Sequence, residues 1–427
     1  MVKSFQAKRK ALGLVVNFET EKGAQTFISL DSEKEEFISI ARTVGFQITT
    51  CWEYSVRNPF SRYFLGKGKV KEIKNYIDDH PEIDCILIDF EVSPSQQRNL
   101  EDYWEMPIYT KNAIIHQIFA LRACTAEGKI RVELAQLQYQ LSRLTGRGKQ
   151  FSRTGGGIGT RGPGEQRLEK DRRKVQKRIT FLNHEIERIQ KQKEVQKSLR
   201  KARKVPVVAI VGYTNAGKST LLNAITGAKV YVKDQFFATL DPVTRRAFLP
   251  EVGETVFTDT VGFIREMPPT IKEAFWATLE ETKEADLILE ILDVSHPDYF
   301  SHFQTINQTL SEIGLDQFSK IVVLNKVDLL SDLPRLEKEI RENDHVFISA
   351  QKEKGIEKLL SLISYRLQNQ IQKLSFEVSW SELGKIEKEI PRYGYIKDLE
   401  AKEEGRVKIE CAVRKEKVEH LQRILSK

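Results

Sequence analysis

The sequence predicts a multidomain α/β protein. It comprises an N-terminal parallel α/β domain, an antiparallel two-helix coiled-coil arm with a Gly/Arg-rich tip loop, a phosphate-loop domain with helices on both faces of a parallel sheet, and a small C-terminal α/β domain. Three observations predict it. Short apolar runs alternate with helix-period segments over residues 1–125 and again from residue 204, the pattern of βαβ units. Two apolar stripes with heptad spacing lie between those regions. A Gly-rich segment, GYTNAGKS, joins an apolar run directly to a helical stretch.

Composition bounds the rest. A chain of 427 residues, 40 % hydrophobic and 30 % charged, is neither disordered nor collagenous, and its length implies roughly two to four domains. No apolar run approaches the ~20 residues of a membrane helix, and Ala11–Phe18, broken by Gly13 and Asn17, reads as a strand rather than a signal peptide. The four cysteines include no CxxC pair and the seven histidines no HxxxH pair, which disfavours a zinc site or disulfide framework and fits a reducing cytosol.

In residues 1–125, strands are expected at Ala11–Val16, Gly45–Thr50, Cys85–Phe90 and Pro107–Tyr109. Helices are expected at Ser32–Thr43, Lys69–Asp79, Pro94–Trp104 and Ile114–Leu121. The pair Gly66 and Gly68 reads as a turn before the second helix. Residues 126–203 carry Ile130, Leu134, Leu137, Leu141 and Leu144 on one stripe. Leu168, Val175, Ile179, Leu182, Ile186 and Ile189 form the other. Two such helices bury their stripes against each other as a hairpin. Between them, Thr145–Glu165 holds eight of the chain's 24 glycines, so a basic loop is expected at the tip of a rigid arm. The domain at 204–370 opens with Val207–Val211. Residues 371–427 predict strands at Leu374–Trp380, Tyr393–Leu399 and Arg406–Val413 with helices at Ser381–Glu389 and from Glu416.

Charge is concentrated in the arm. Residues 143–178 hold twelve Lys/Arg against three acids, a net +9, so the other 391 residues of this +8 chain sum to −1. A solvated charge run is the usual reading of a basic stretch. Confinement to one arm's end and interleaving of Arg with Gly favour RNA contact instead: Gly lets the backbone approach closely, while Arg pairs with phosphates and stacks on bases.

Four short motifs follow one another in the phosphate-loop domain. Gly212, Tyr213, Thr214, Asn215, Ala216, Gly217, Lys218 and Ser219 form a loop whose N–H groups can cradle phosphates, with Lys218 facing the β/γ-phosphates and Ser219 ligating Mg²⁺. Asp259, Thr260, Val261 and Gly262 end a strand, placing Asp259 near the metal and the Gly262 N–H near the γ-phosphate. In Asn325-Lys326-Val327-Asp328, the carboxylate of Asp328 can accept from N1–H and N2–H₂ of guanine, donors that adenine lacks. Ser349-Ala350 brings a backbone N–H for guanine O6. Together they predict a P-loop GTPase domain. Phe263 stands where many GTPases carry a water-positioning Gln, and a hydrocarbon cannot orient water, so intrinsic hydrolysis is expected to be slow.

The chain resembles the HflX-type GTPases of the translation-factor class. The resemblance rests on Gly212–Thr220, Phe237-Ala238-Thr239-Leu240-Asp241-Pro242, Asp259–Ile264, Glu133–Tyr139 in the arm and Gly156–Glu165 at its tip. It covers nearly the whole chain and is weakest after residue 371. Val243 and Lys111-Asn112 depart from the family's usual Thr and Asp-Arg. The resemblance implies that Thr239 completes Mg²⁺ ligation, that Lys218, Thr239 and Gly262 serve hydrolysis, and that Phe237, Ala238 and Thr220 belong to the nucleotide site. It implies a cytoplasmic, monomeric protein that binds the large ribosomal subunit, its tip loop against rRNA, and splits stalled or idle ribosomes. Asn215 either holds a K⁺ against the α- and γ-phosphates, as in several translation-class GTPases, or braces the loop through its own hydrogen bonds. Two other functions stay open at this level: a signalling GTPase with a protein-binding arm, and an RNA remodeller that also uses ATP.

Overall fold

The computed structural model describes residues 9–18, 30–123, 125–144, 163–201, 205–227, 243–265, 267–368, 371–390, 394–402, 405–415 and 418–425. Residues 145–162 of the expected tip loop and Phe237, Ala238 and Thr239 lie outside the described residues, whereas Pro163, Gly164 and Glu165, expected in that loop, open a helix. The chain forms two compact units. Among the described residues, the first contains those up to Ile189 with Arg265–Phe275, and the second contains the rest.

The first unit opens with β1 (Arg9–Phe18), α1 (Leu30–Thr43), β2 (Phe46–Val56), α2 (Lys67–Asp79), β3 (Cys85–Ile88), α3 (Pro94–Trp104), β4 (Ile108–Thr110) and α4 (Lys111–Arg122). The four strands form one parallel sheet in the order β2-β1-β3-β4. Its centre is apolar because β1 and β3 are buried on both faces: Leu12, Leu14, Ile86 and Ile88 pack with Ile73, Leu100 and Trp104. A capping box starts α3, with the Ser93 hydroxyl accepting from Gln96 N and the Gln96 side chain accepting from Ser93 N. The Trp104 indole N–H donates to Val70 O at 3.0 Å, satisfying the one polar atom of a fully buried ring. Helix α2 begins two residues earlier than its apolar pattern suggests, with Gly66 as its N-cap and Gly68 inside the first turn.

Two longer helices follow, α5 (Ala126–Leu144) and α6 (Pro163–Lys201). Part of the predicted stripes packs together: Leu134, Leu182 and Ile186 are buried in one cluster, with Ile130, Leu137 and Ile179 against them. The Arg178 guanidinium bridges to both Glu133 carboxylate oxygens at 2.7 and 3.0 Å.

The second unit contains β5 (Val207–Gly212), α7 (Lys218–Thr226), β6 (Val243–Leu249), β7 (Gly253–Asp259), β8 (Leu287–Asp293), α9 (Tyr299–Glu312), β9 (Lys320–Asn325), α10 (Lys338–Arg341), β10 (Asp344–Phe347) and α11 (Ile356–Gln368). Between β7 and β8 runs α8 (Pro269–Leu279), which begins within the first unit's segment. The six strands are ordered β10-β9-β8-β5-β7-β6, all parallel except the antiparallel edge pair β6–β7. The chain ends in β11 (Ile371–Ser379), α12 (Trp380–Glu389), β12 (Gly394–Ala401), β13 (Arg406–Arg414) and α13 (Val418–Leu425). The three strands form an antiparallel sheet, β11-β13-β12. Its core joins Val407, Ile409 and Val413 to Ile386, Ile390 and Leu421 of the helices.

The turn of the β6–β7 hairpin is tied to this small sheet. Glu251 pairs with Lys373 of β11 and, at 3.6 Å, with Lys397 of β12, and these cations hold its carboxyl below the usual carboxylate range. The Phe248 and Tyr395 rings meet edge to face at 5.6 Å. Gly253 has a φ of +92°, and a Cβ there would lie 2.5 Å from the Tyr395 ring. Gly253→Ala therefore combines left-handed strain with overlap, and is expected to cost roughly 1–3 kcal/mol. A thermal unfolding scan of the second unit's transition checks this, with Tm lower by several degrees.

Candidate nucleotide-binding site

The central strand β5 ends at Gly212, where a Cβ would lie 2.6 Å from the Ile291 carbonyl oxygen of β8. From there the chain turns sharply into α7. Asn215 (φ +63°) and Gly217 (φ +97°) take left-handed conformations that form the bend. The loop is stitched to the end of β7: Thr214 N donates to Phe263 O at 2.8 Å, and Phe263 N donates to Gly212 O at 3.1 Å. Its N–H groups and the start of α7 make the concave, electropositive turn that suits phosphate.

Lys218 is buried, and its ammonium donates to Gly212 O at 3.0 Å and Tyr213 O at 2.8 Å. Burial pushes its pKa down to about 8, against the opposing pull of Asp259. The Ser219 hydroxyl donates to Asp259 Oδ2 at 2.6 Å. This hydroxyl–carboxylate pair is a hard oxygen donor set of the kind Mg²⁺ takes, and it fits that ion. Thr220 follows on α7, partly exposed. The Thr260 hydroxyl donates to Ile210 O at 2.8 Å, fastening the strand end, and Val261 and Phe263 are fully buried. Gly262 is crowded: a Cβ there would lie 2.7 Å from Thr214 Cγ2 and 3.0 Å from Lys218 Nζ.

The base-reading motif sits at the ends of β9 and β10. The Asn325 amide donates to Ala216 O at 2.8 Å and accepts from Ala350 N at 2.9 Å. The Ala350 N–H, expected to meet guanine O6, is thus held by Asn325 in this structure. Ser349 is fully buried beside it, its hydroxyl accepting from Lys352 N. Lys326 has a φ of +66° and pairs with Asp293 at 2.7 Å. Asp328, partly buried, lies in the 3₁₀ turn Val327–Leu329.

Of the residues singled out from sequence, the structure brings Gly212–Thr220, Asp259–Gly262, Asn325, Lys326, Asp328, Ser349 and Ala350 to the carboxyl ends of adjacent strands in one sheet. Two contributors escape local reading. Asp293 closes the apolar strand β8, and its pairing with Lys326 depends on the register of β8 against β9. His302 is buried on α9, its ring stacked on Tyr213 at 3.9 Å and 12°; residues 89 positions apart leave no local trace of such a contact.

An anion cradle on the central parallel strand, joined by one amide to a base-reading turn, is the construction of P-loop guanine-nucleotide hydrolases, and the chain is built this way. The family comparisons narrow it further. Residues 207–326 match the family described as 50S ribosome-binding GTPase, residues 31–120 that described as GTP-binding GTPase N-terminal, and residues 122–200 that described as GTP-binding GTPase Middle Region. GTPase HflX of Caldanaerobacter subterraneus subsp. tengcongensis is 43 % identical over 341 residues, 80 % of this chain and 78 % of the relative. GTPase HflX of Escherichia coli K12 is 41 % identical over 79 % of each chain. A GTP-binding protein from Sulfolobus solfataricus, crystallised with GDP, superposes with a TM-score of 0.47 at 25 % identity, covering 84 % of this chain and 99 % of its own. The chain belongs to the HflX family of GTPases, and GTP is its substrate.

Asn325→Ala strands a buried acceptor at Ala216 and a buried donor at Ala350. It is expected to weaken GDP binding by about 2–4 kcal/mol, roughly 30- to 1,000-fold, read by titration of a fluorescent GDP analogue. Lys218 supplies a pH dependence. Its pKa without nucleotide is about 8, and phosphate charge raises it, so the bound state carries more protons as pH rises through 8. GTP affinity is then flat below about pH 8 and falls above it. Calorimetry in buffers of different ionisation enthalpy is expected to show proton uptake on that limb, lost in Lys218→Met.

Proposed function

We propose that this GTPase binds the large ribosomal subunit in its GTP form, inserts the basic tip of its arm against rRNA, splits stalled or idle ribosomes, and leaves after hydrolysis. The observation that carries the reading is the placement of charge: a net +9 in residues 143–178 on a chain that is otherwise near neutral. A sequence-independent phosphate-binding surface requires such a concentration. Arg172, Arg173, Lys174 and Lys177 are exposed on α6, Arg173 beside Glu169 at 2.7 Å and Lys174 beside Asp171 at 3.9 Å. The family description of residues 207–326 as a 50S ribosome-binding GTPase points to the same partner.

In this reading Lys218 neutralises the β/γ-phosphates, the Gly262 N–H meets the γ-phosphate, and Ser219 and Thr239 ligate Mg²⁺ with Asp259 behind them. Asp328 reads the guanine edge. Asn215 holds a K⁺ or braces the loop. The protein works as a cytoplasmic monomer; among the described residues no helix is long and apolar enough to cross a membrane.

The test is co-sedimentation with separated ribosomal subunits through a sucrose gradient. With a non-hydrolysable GTP analogue the protein is expected to travel with the large subunit, and with GDP to stay at the top. Deleting Arg153–Gly164 is expected to leave GTP affinity intact while abolishing ribosome-stimulated hydrolysis and splitting. Normal splitting by the deleted protein would refute the role of the tip.

A further inference from the structure

The phosphate loop is tied to the end of β7 through its backbone. A second hold on it comes through a side chain. Tyr213, the second residue of the loop, is 5 % exposed, and the ring of His302 on α9 lies almost parallel to its ring, at 3.9 Å and 12°. His302 is buried as well, and its N–H donates to Asp298 O at 3.1 Å at the start of α9. Its ring meets that of His296 at 4.6 Å. His296 is fixed in turn by two bonds of the β8–α9 connection. Its N–H donates to Asp293 O at 3.3 Å, and its Nδ1 accepts from Asp298 N at 3.1 Å.

The residue held by this stack carries a carbonyl that the loop uses twice. Tyr213 O accepts from the Lys218 ammonium at 2.8 Å and from Ala216 N at 3.2 Å. The second bond closes the turn between β5 and α7. The first aims a buried cation. Ring and carbonyl belong to one residue, so a Tyr213 ring free to swing would let the carbonyl and the ammonium shift with it. A flat partner packed against that ring restrains it in tilt and in distance. The other end of the same segment, Asp293, pairs with Lys326 at 2.7 Å. One short stretch, 293–302, thus reaches the base-reading turn with its first residue and the phosphate loop with its last.

We propose that His302 is a positioning residue for the nucleotide: its ring seats the Tyr213 ring and so fixes the carbonyl that aims the Lys218 ammonium at the phosphates. His302 acts through Tyr213 and touches no reacting atom. The proposal rests on the assignment of the phosphates to the loop at 212–219. A loop of this kind holds substrate, transition state and GDP through the same N–H groups, so loosening it weakens all three together. Uniform loss of that sort appears in affinity and leaves kcat in place.

His302→Leu keeps a buried side chain of similar size and removes the flat ring. The expected result is an affinity for GDP and for a non-hydrolysable GTP analogue lower by the same factor, roughly three- to tenfold, with kcat at saturating GTP within about twofold of the parent. His302→Phe restores a flat ring and is expected to bring both affinities back to within about twofold. The effect also has to vanish without its intermediary. In a Tyr213→Leu background, His302→Leu is expected to change affinity by less than about twofold. Titration with a fluorescent GDP analogue reads affinity apart from stability, because the binding stoichiometry reports the folded fraction. A lower Tm with unchanged affinity of the folded fraction overturns the proposal, since it marks packing alone. So does a phenylalanine variant as weak as the leucine variant, a full-sized effect in the Tyr213→Leu background, or a fall in kcat with affinity intact. Should His302→Leu not fold, His302→Asn and His302→Phe carry the same comparison, and equal affinities in those two refute the role. Unchanged GDP affinity in Lys218→Ala is a separate outcome: it removes the site assignment on which the proposal stands.

Discussion

The nucleotide site depends on one primary amide. Asn325 stands at the end of β9 and ties the phosphate loop to the turn after β10, through Ala216 O on one side and Ala350 N on the other. Its amide nitrogen also comes so close to Gly217 that a Cβ there would lie 2.2 Å away. The loop's left-handed glycine is therefore required twice, by its φ and by this approach. A base-reading segment and a phosphate-binding segment more than 100 residues apart are held in one geometry by a side chain that need not touch the nucleotide. Both amide dipoles are used inside the protein, in a buried setting where a lost partner is costly.

Much of this was legible in the sequence, for a physical reason. A phosphate loop is a local device: its glycines, its lysine and the start of the helix that follows lie within nine residues, and the apolar run before it is the strand it needs. The alternation of strands and helices over residues 9–122 was equally local, and the element limits fall within three residues of the apolar patterns except at β2, which runs six residues past its expected end to Val56. The positions that stayed hidden are set by pairing across the sheet. Nothing in Val243–Leu249 announces an antiparallel edge strand, because its direction follows from the hairpin turn at Glu251 and Gly253. Asp293 becomes a partner of Lys326 only when β8 and β9 lie in register. His302 meets Tyr213 only once α9 has folded back on the sheet.

The arm shows the same division. Heptad spacing marked candidate contacts along α5 and α6, and Leu134, Leu182 and Ile186 are among those that meet. The cross-helix bridge from Arg178 to Glu133 was not foretold, since it depends on the rotation of one helix about the other. That bridge pairs Arg178 across the two helices on an exposed face, where Arg172 and Lys177 are exposed as well.

The hairpin β6–β7 has a mechanical consequence. Its open end is formed by Val243 opposite Asp259, so it carries the residue beside Ser219, and its closed end is pinned by Glu251 to two strands of the C-terminal sheet. A strand pair free at both ends can slide along its neighbour by two residues and restore every ladder bond. One anchored at its turn by an ion triad and an edge-to-face ring contact has to break both to slide. The C-terminal sheet thus biases movement at the Asp259 end towards bending or fraying rather than translation.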